Sequence, residues 1–300
     1  MGKWVDRVCE IITFLFDPLH HFWESEGFHR RAAALLVVVF LAALAGIELG
    51  RQGLLPPVLA QHTPANHFHA VNLAFTLVLI LEVVSFLFTL PCSFSKSLGT
   101  QFEILALILL RNAFKELSLL GEPITVEADL TPVLHLAAYG FGALILFALL
   151  GIFRRIQPKH KKDTLSATAL YRFVAIKKAI ALVLLTVFVG FGLTNAAITL
   201  AGLPHVEFFP FFYTLLVFTD ILIVLVAQYF WPSFQAVFRN SGYALATVFI
   251  RLALAAPPVY DVALAILASL FAIALNLVWD RVFTGFPAQR PETTSPERAA

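Results

Sequence analysis

Apolar residues are concentrated in eight stretches of the chain, and short polar segments separate them. The stretches are 32–50, 67–91, 98–120, 132–153, 178–203, 208–231, 241–256 and 259–278. A helix needs about 20 mainly apolar residues to cross the hydrocarbon core of a bilayer. The pattern therefore predicts an all-α polytopic bundle of about eight transmembrane helices. The stretch 241–256 is short and ends at Pro257, so a half-crossing segment is the alternative there.

The two terminal segments have other patterns. Residues 1–29 have apolar side chains at helical spacing, with charged side chains between them. Those apolar residues are Trp4, Val8, Ile11, Ile12, Leu15, Phe16 and Leu19. The pattern predicts an amphipathic helix that lies in the membrane interface. Residues 284–300 are rich in Pro, Thr, Glu and Arg, which is typical of a disordered tail.

The second half of the chain resembles the first. A shift of about 140 residues superposes part of the third apolar stretch on the seventh, and Glu82 and Asp220 correspond in the preceding stretches. The matched pairs are Leu105 and Leu245, Ala106 and Ala246, Arg111 and Arg251, and Ala113 and Ala253. We predict two parallel four-span repeats, 30–155 and 170–283, joined by a basic cytoplasmic linker, 156–169. The alternative is chance similarity between Leu/Ala-rich helices.

The composition supports a membrane protein. Of the 300 residues, 59% are hydrophobic and only 13% are charged, and the mean hydropathy is +0.84. Soluble domains average about 45–50% apolar and about 25% charged residues. This composition excludes a soluble enzyme, a nucleic-acid-binding protein and a disordered chain. The two cysteines, Cys9 and Cys92, do not form a disulfide framework.

Basic residues concentrate in alternate connections between the apolar stretches. With a cytoplasmic N-terminus, most of the 21 Lys and Arg residues fall in cytoplasmic segments. The outer connections contain Arg51 together with the acidic residues Glu122, Glu127, Asp129 and Glu207. This is the positive-inside distribution of membrane proteins. We therefore predict a plasma (inner) membrane protein with both termini in the cytoplasm.

Charged residues inside the predicted spans carry most of the functional signal, because they are costly in a bilayer. Asp220 and Arg251 both fall roughly 15 Å from the inner boundary, at about 1.5 Å per residue, on consecutive antiparallel spans. Glu82 and Arg111 occupy the matching places in the first half, and their depths differ by about one helical turn. We predict one acid–arginine pair in each half.

A second polar stripe extends from Arg111 toward the outside and consists of Glu103, Asn112, Lys115 and Glu116. Two interpretations of the charged residues stay open. Each acid–arginine pair either clamps two helices together or lines and gates an ion path between the repeats. In the second case the carboxylates titrate or bind a cation, while the arginines act as counter-charges or anion ligands.

Histidines near the outer side are the candidates for a metal or haem site. His67 and His69 open the second span, and His135 opens the fourth. His67 and His69 are two residues apart, so they point away from each other on a helix. The motifs HExxH, CxxC and CxxCH are absent from the sequence. No cofactor is predicted, and these histidines make a metal or haem site a weaker alternative.

These patterns favour a transporter or channel for an ion or small charged solute. One alternative is a membrane anchor or signalling subunit whose charge pairs are structural, and another is a haem- or metal-binding redox protein. The absence of a nucleotide-binding loop or a GxSxG motif favours a protein that is not an enzyme. The expected partners are the lipid bilayer, the transported species, and a cytoplasmic protein or a second copy of the chain.

Overall fold

The computed structural model describes residues 2–54, 56, 66–117, 130–157, 166–200 and 208–283. Within these ranges the chain forms nine α-helices and no strand. The helices are α1 (Gly2–Glu24), α2 (Glu26–Arg51), α3 (Phe68–Thr89), α4 (Phe94–Glu116), α5 (Thr131–Ile156), α6 (Ala167–Leu200), α7 (Phe208–Phe230), α8 (Phe234–Ala255) and α9 (Tyr260–Phe283). The predicted tail 284–300 and most of the predicted linker lie outside the described residues.

Six of the helices, α2, α3, α5, α6, α7 and α9, are long and apolar enough to cross a membrane. The prediction of a helical membrane protein is therefore confirmed in this general form. The other two predicted spans correspond to α4 and α8, whose polar residues place them outside this group of six. Eight crossings thus remain a prediction.

The helix α8 is longer than the apolar stretch 241–256 that predicted it. It begins at Phe234, where the Ser233 hydroxyl caps it by accepting a hydrogen bond from the Ala236 N–H at 3.4 Å. Its 22 residues extend for roughly 33 Å, enough to cross a hydrocarbon core. The hydrophobic pattern missed this start because Gln235, Arg239 and Asn240 interrupt the apolar residues of the first two turns, and a serine cap marks the boundary.

The two halves of the chain make the same sequence of helix contacts. In the first half α2 packs on α3, α3 on α4, and α4 on α5; in the second half α6 packs on α7, α7 on α8, and α8 on α9. Between the halves, α5 packs on α9 and α4 packs on α8. The largest buried apolar cluster lies among α4, α5, α8 and α9. Gly142 lets α5 approach Val262 of α9 closely, because a Cβ there would collide with the valine side chain.

Contacts between helix ends show that successive helices run in opposite directions. At one end of the bundle Gln157 donates to Ser95 O at 2.7 Å, and the Arg239 guanidinium lies 5.1 Å from the Trp279 ring centroid. We call this the basic end because it carries a group of lysines and arginines. They are Lys96, Arg154, Arg155, Arg172, Arg239 and Arg281. At the opposite end, the far end, α4 meets the start of α5.

The predicted N-terminal amphipathic helix is present as α1, and its polar face contacts the protein. Arg172 of α6 donates to Asp6 at 2.9 and 3.1 Å, and Lys178 donates to Asp17 at 2.6 Å. Exposed apolar side chains cover the opposite face and include Trp4, Ile11, Phe14, Leu15 and Phe22. The sequence pattern places Phe16 on that apolar face. In the structure Phe16 is instead buried against Phe88 of α3.

Candidate functional site

A buried ion pair joins α7 to α8. The Arg251 Nε lies 3.6 Å from the Asp220 Oδ2, and only 5% and 7% of the two side chains are exposed. Helix side chains tilt toward the helix N-terminus, and these two helices are antiparallel. The tilt therefore brings the carboxylate and the guanidinium toward each other. The sequence-predicted residues of the second half are thus brought together.

Two residues from the first half of the chain also hold Arg251. Its Nη2 donates to the Gln101 Oε1 of α4 at 3.1 Å, and its Cζ lies 4.3 Å from the centroid of the Phe86 ring of α3. We call Gln101, Asp220 and Arg251 the central polar cluster. The sequence analysis missed Gln101, because an amide within an apolar helix gives no signal of its own until the packing partner is known.

Two small cavities flank the central polar cluster. Cavity A has a volume of about 20 Å³ and is lined by Leu90, Phe94, Ser97, Gln101, Lys177, Asp220, Ile223, Tyr243, Ala244 and Thr247. Cavity B has the same volume and is lined mainly by apolar side chains together with Gln101, Tyr213 and Arg251. A cavity of this size has room for about one water molecule. Cavity A lies toward the basic end, next to the turn between α3 and α4, and cavity B lies toward the far end.

Lys177 is a second buried cation at this site. Its side chain is 2% exposed, its Nζ donates to the Cys92 carbonyl oxygen, and it lies 5.1 Å from the Phe94 ring centroid and 5.5 Å from that of Phe173. The sequence analysis did not single out this lysine, because nothing in the hydrophobic pattern shows that its side chain is buried. The aromatic residue one turn earlier, Phe173, is the available signal, because a lysine and an aromatic ring at i and i+4 share one helix face.

The predicted pair of the first half, Glu82 and Arg111, is not closed. No nitrogen–oxygen distance of 4.0 Å or less joins these two described residues. Arg111 Nη1 instead donates to the Phe75 carbonyl at 3.2 Å, and the Glu82 Oε2 is buried without a hydrogen-bond partner among the described residues. Arg111 lies within electrostatic range of Glu82 and of Tyr213, which lines cavity B.

The predicted secondary stripe divides between two ends of the bundle. Glu103 pairs with Arg154 of α5 toward the basic end, whereas Glu116 lies 3.3 Å from the His135 Nδ1 at the far end. Asn112 is half-buried and Lys115 is exposed. Each of the two acids therefore pairs with a different part of α5, one toward each end of the bundle.

The predicted histidine candidates lie at the far end. His67 contacts Glu48 of α2 at 3.3 Å and Arg51 at 3.2 Å, and His69 is exposed. His135 pairs with Glu116. In the part of the chain that the structure describes, no group of three or more His, Cys, Asp or Glu side chains is arranged to hold a metal ion.

The central polar cluster can hold an ion or a polar molecule in the interior of a hydrophobic bundle. It combines a carboxylate, a guanidinium and an amide, and the Lys177 ammonium lies on the same cavity as the carboxylate. Charges at such depth are costly, so they mark either a helix clamp or a path for a charged species. No family model matches this chain, and no curated protein and no solved structure matches it.

Proposed function

We propose that this protein is an integral membrane transporter or channel for an ion or small charged solute, and that its path follows the central polar cluster. The observation that carries the proposal is the position of the Asp220–Arg251 pair between two water-sized cavities. A bundle core with no transport role is better filled by apolar side chains, since a buried ion pair adds little or no stability relative to them.

An internal duplication supports the proposal. The helix contacts of the first half recur in the second, and the equivalent helices α4 and α8 pack on each other, as do α5 and α9. A two-fold axis along the membrane normal would produce these self-paired contacts. Ser93 and Ser233 cap α4 and α8 in the same way. We therefore propose two four-helix repeats, 30–155 and 170–283, in which α4 and α8 cross the membrane beside the shared axis.

The arrangement of the cavities supports a path along that axis. Leu90 and Phe94, next to the turn between α3 and α4, line cavity A. Tyr213, near the start of α7, and Leu254, near the end of α8, line cavity B on the side of the far end. Gln101 lines both cavities. A charged species that crosses the bundle by this route passes the guanidinium of Arg251.

The charge distribution supports an orientation in the membrane. The basic end faces the cytoplasm by the positive-inside rule, which places both termini there, in the plasma (inner) membrane. Helix α1 then lies on the cytoplasmic leaflet, where its exposed apolar face contacts lipid and its acidic residues hold α6.

A second candidate function is a membrane anchor or signalling subunit in which the central polar cluster is a structural clamp. The observation that favours it is the number of neighbours around Arg251, since Asp220, Gln101 and Phe86 join three helices through one guanidinium. This function predicts a stable protein that transports nothing.

Ion flux in proteoliposomes separates the two functions. Purified protein is reconstituted and tested with gradients of K⁺, Na⁺, H⁺ and chloride, using Asp220→Asn and Glu82→Gln variants and empty liposomes for comparison. The matched control is Asp261→Asn, because Asp261 is a buried aspartate that lines neither cavity. Transport predicts flux in the wild type and in Asp261→Asn, and at least a tenfold loss in folded Asp220→Asn. Absence of flux for all four ions would contradict it.

A further inference from the structure

The contacts of Lys177 stabilise an ammonium group without balancing its charge. In the described part of the chain they are the Cys92 carbonyl and the rings of Phe94 and Phe173, and none of these carries a full negative charge. A carbonyl and aromatic rings attract a cation, but a charge inside a membrane is normally paired with an opposite charge. Lys177 therefore has two further N–H donors and a need for a counter-ion.

The other charges on cavity A do not provide that counter-ion. Asp220 lines the cavity, but its carboxylate is paired with Arg251 at 3.6 Å, so those two charges balance each other. Lys177 and Asp220 line cavity A, whereas Arg251 lies behind Asp220 and lines cavity B; these three buried charges together leave an excess of one positive charge. A monovalent anion would neutralise this excess.

Neutral donors also line cavity A. The Gln101 Oε1 accepts from Arg251, which orients the amide so that its Nε2 is the remaining donor of this side chain. The buried Ser97 supplies a hydroxyl, and both residues lie on the same side of α4, four residues apart. Tyr243 already donates its hydroxyl hydrogen to Asn276 at 2.5 Å, so this hydroxyl presents only lone pairs.

Resting on the proposed transport function, we propose that cavity A binds a small monovalent inorganic anion of halide size, held by the Lys177 ammonium, the Ser97 hydroxyl and the Gln101 amide. The volume of about 20 Å³, which has room for about one water molecule, matches a small inorganic anion. The basic end of the bundle, next to which cavity A lies, raises the local concentration of anions by its positive potential.

Chloride binding to the detergent-purified full chain tests the site directly. Equilibrium dialysis with labelled chloride in gluconate buffer is expected to show one saturable site in the wild type, at least tenfold weaker binding in Lys177→Met, and unchanged binding in Lys178→Met. Lys178 is the matched control because it is the adjacent lysine, pairs with Asp17 and does not line the cavity. Absence of saturable binding in the wild type, or wild-type affinity in Lys177→Met, would overturn the assignment.

A second variant covers a failure of Lys177→Met to fold, which thermal unfolding would reveal. Ser97→Ala removes one neutral donor and leaves all charges in place, so we expect chloride to bind at least threefold more weakly to a protein of nearly wild-type stability. Chloride binding to Ser97→Ala with wild-type affinity would overturn the proposed donor set.

Flux measurements distinguish this inference from the proposed function. Chloride efflux from proteoliposomes, with K⁺ and valinomycin to balance charge, is expected in the wild type and in Lys178→Met and is expected to be lost in Lys177→Met. Transport of Na⁺, K⁺ or H⁺ without chloride would overturn the anion site and retain a transport function. Saturable chloride binding without flux of any ion would retain the site and overturn transport.

Discussion

The acid–arginine pair of the second half is closed, whereas the corresponding pair of the first half is open. The two arginines occupy equivalent places, since Arg111 and Arg251 each lie 17 residues after the first residue of their helix. The acids do not: Glu82 lies seven residues before the end of α3, and Asp220 lies ten residues before the end of α7. Glu82 is therefore about 4.5 Å farther from its arginine along the bundle axis.

A third helix reinforces this difference. Gln101 of α4 reaches across the boundary between the halves and accepts from Arg251, but a shift of 140 residues places Ser241 at the equivalent position of α8. A serine side chain is too short to replace a glutamine in that contact. The comparison teaches that an internal repeat can supply the same residue types twice and still assemble one site, because a displacement of one helical turn decides which partner an arginine meets.

The largest expected difference between the halves follows from removing each acid. Asp220→Asn leaves the guanidinium of Arg251 buried without its counter-charge, which we expect to cost about 3 kcal/mol of unfolding free energy, at the lower end of the range because Gln101 and Phe86 still hold it. Glu82→Gln removes an acid that has no ion-pair partner within 4 Å, so we expect a cost below about 1 kcal/mol. Reversible unfolding in detergent measures the stability cost of each variant. Equal costs would contradict the proposed difference between the two pairs.

A smaller difference is expected from the residues that correspond to Gln101. Gln101→Leu keeps the approximate volume but deprives the Arg251 Nη2 of its acceptor, and we expect a cost of about 2 kcal/mol. Ser241→Ala at the equivalent position of α8 is the matched control, with an expected cost of less than about 0.5 kcal/mol. Unfolding curves for the pair check this. A destabilisation by Ser241→Ala as large as that by Gln101→Leu would show that α8 provides an equivalent contact.

The smallest effect is expected from the aromatic neighbours of the two arginines. Phe86→Leu removes the ring that Arg251 faces at 4.3 Å, and we expect it to cost about 1 kcal/mol more than Phe75→Leu. Arg111 contacts the backbone carbonyl of Phe75, and a leucine side chain leaves that hydrogen bond intact. Combining each change with Arg251→Met or Arg111→Met in a double-mutant cycle isolates the ring contribution, and a coupling energy near zero for Phe86 would refute it.

The sequence predicted the positions of the helices better than the interaction partners of their charged side chains. Apolar length located a helix for each of the eight predicted spans, and depth along antiparallel spans paired Asp220 with Arg251. Depth counted from apolar boundaries underestimated the distance of Arg111 from the start of its helix, because α4 begins at Phe94 after the Ser93 cap, within a polar segment. Positions along a helix therefore narrow the choice of partners but do not determine them.

Rotation around the helix axis accounts for the other differences. Glu103 and Glu116 look like members of one stripe with Arg111 when only spacing is counted, yet they bind Arg154 and His135 at opposite ends of α5. Lys177 and Lys178 are adjacent in the sequence, yet Lys178 pairs with Asp17 of α1 and Lys177 is buried inside the bundle. These outcomes depend on which helix packs against each side chain, and spacing along the sequence does not contain that tertiary information.

The most direct test of a path through the central polar cluster neutralises each pair as a unit and compares ion flux. The double variant Asp220→Asn with Arg251→Gln leaves no unpaired buried charge at the cluster, and Glu82→Gln with Arg111→Gln does the same in the first half. With both proteins folded in proteoliposomes, we expect the second-half variant to lose at least tenfold in chloride flux and the first-half variant to stay within about threefold of the wild type. Equal losses in both variants, or wild-type flux in the second-half variant, would contradict the account.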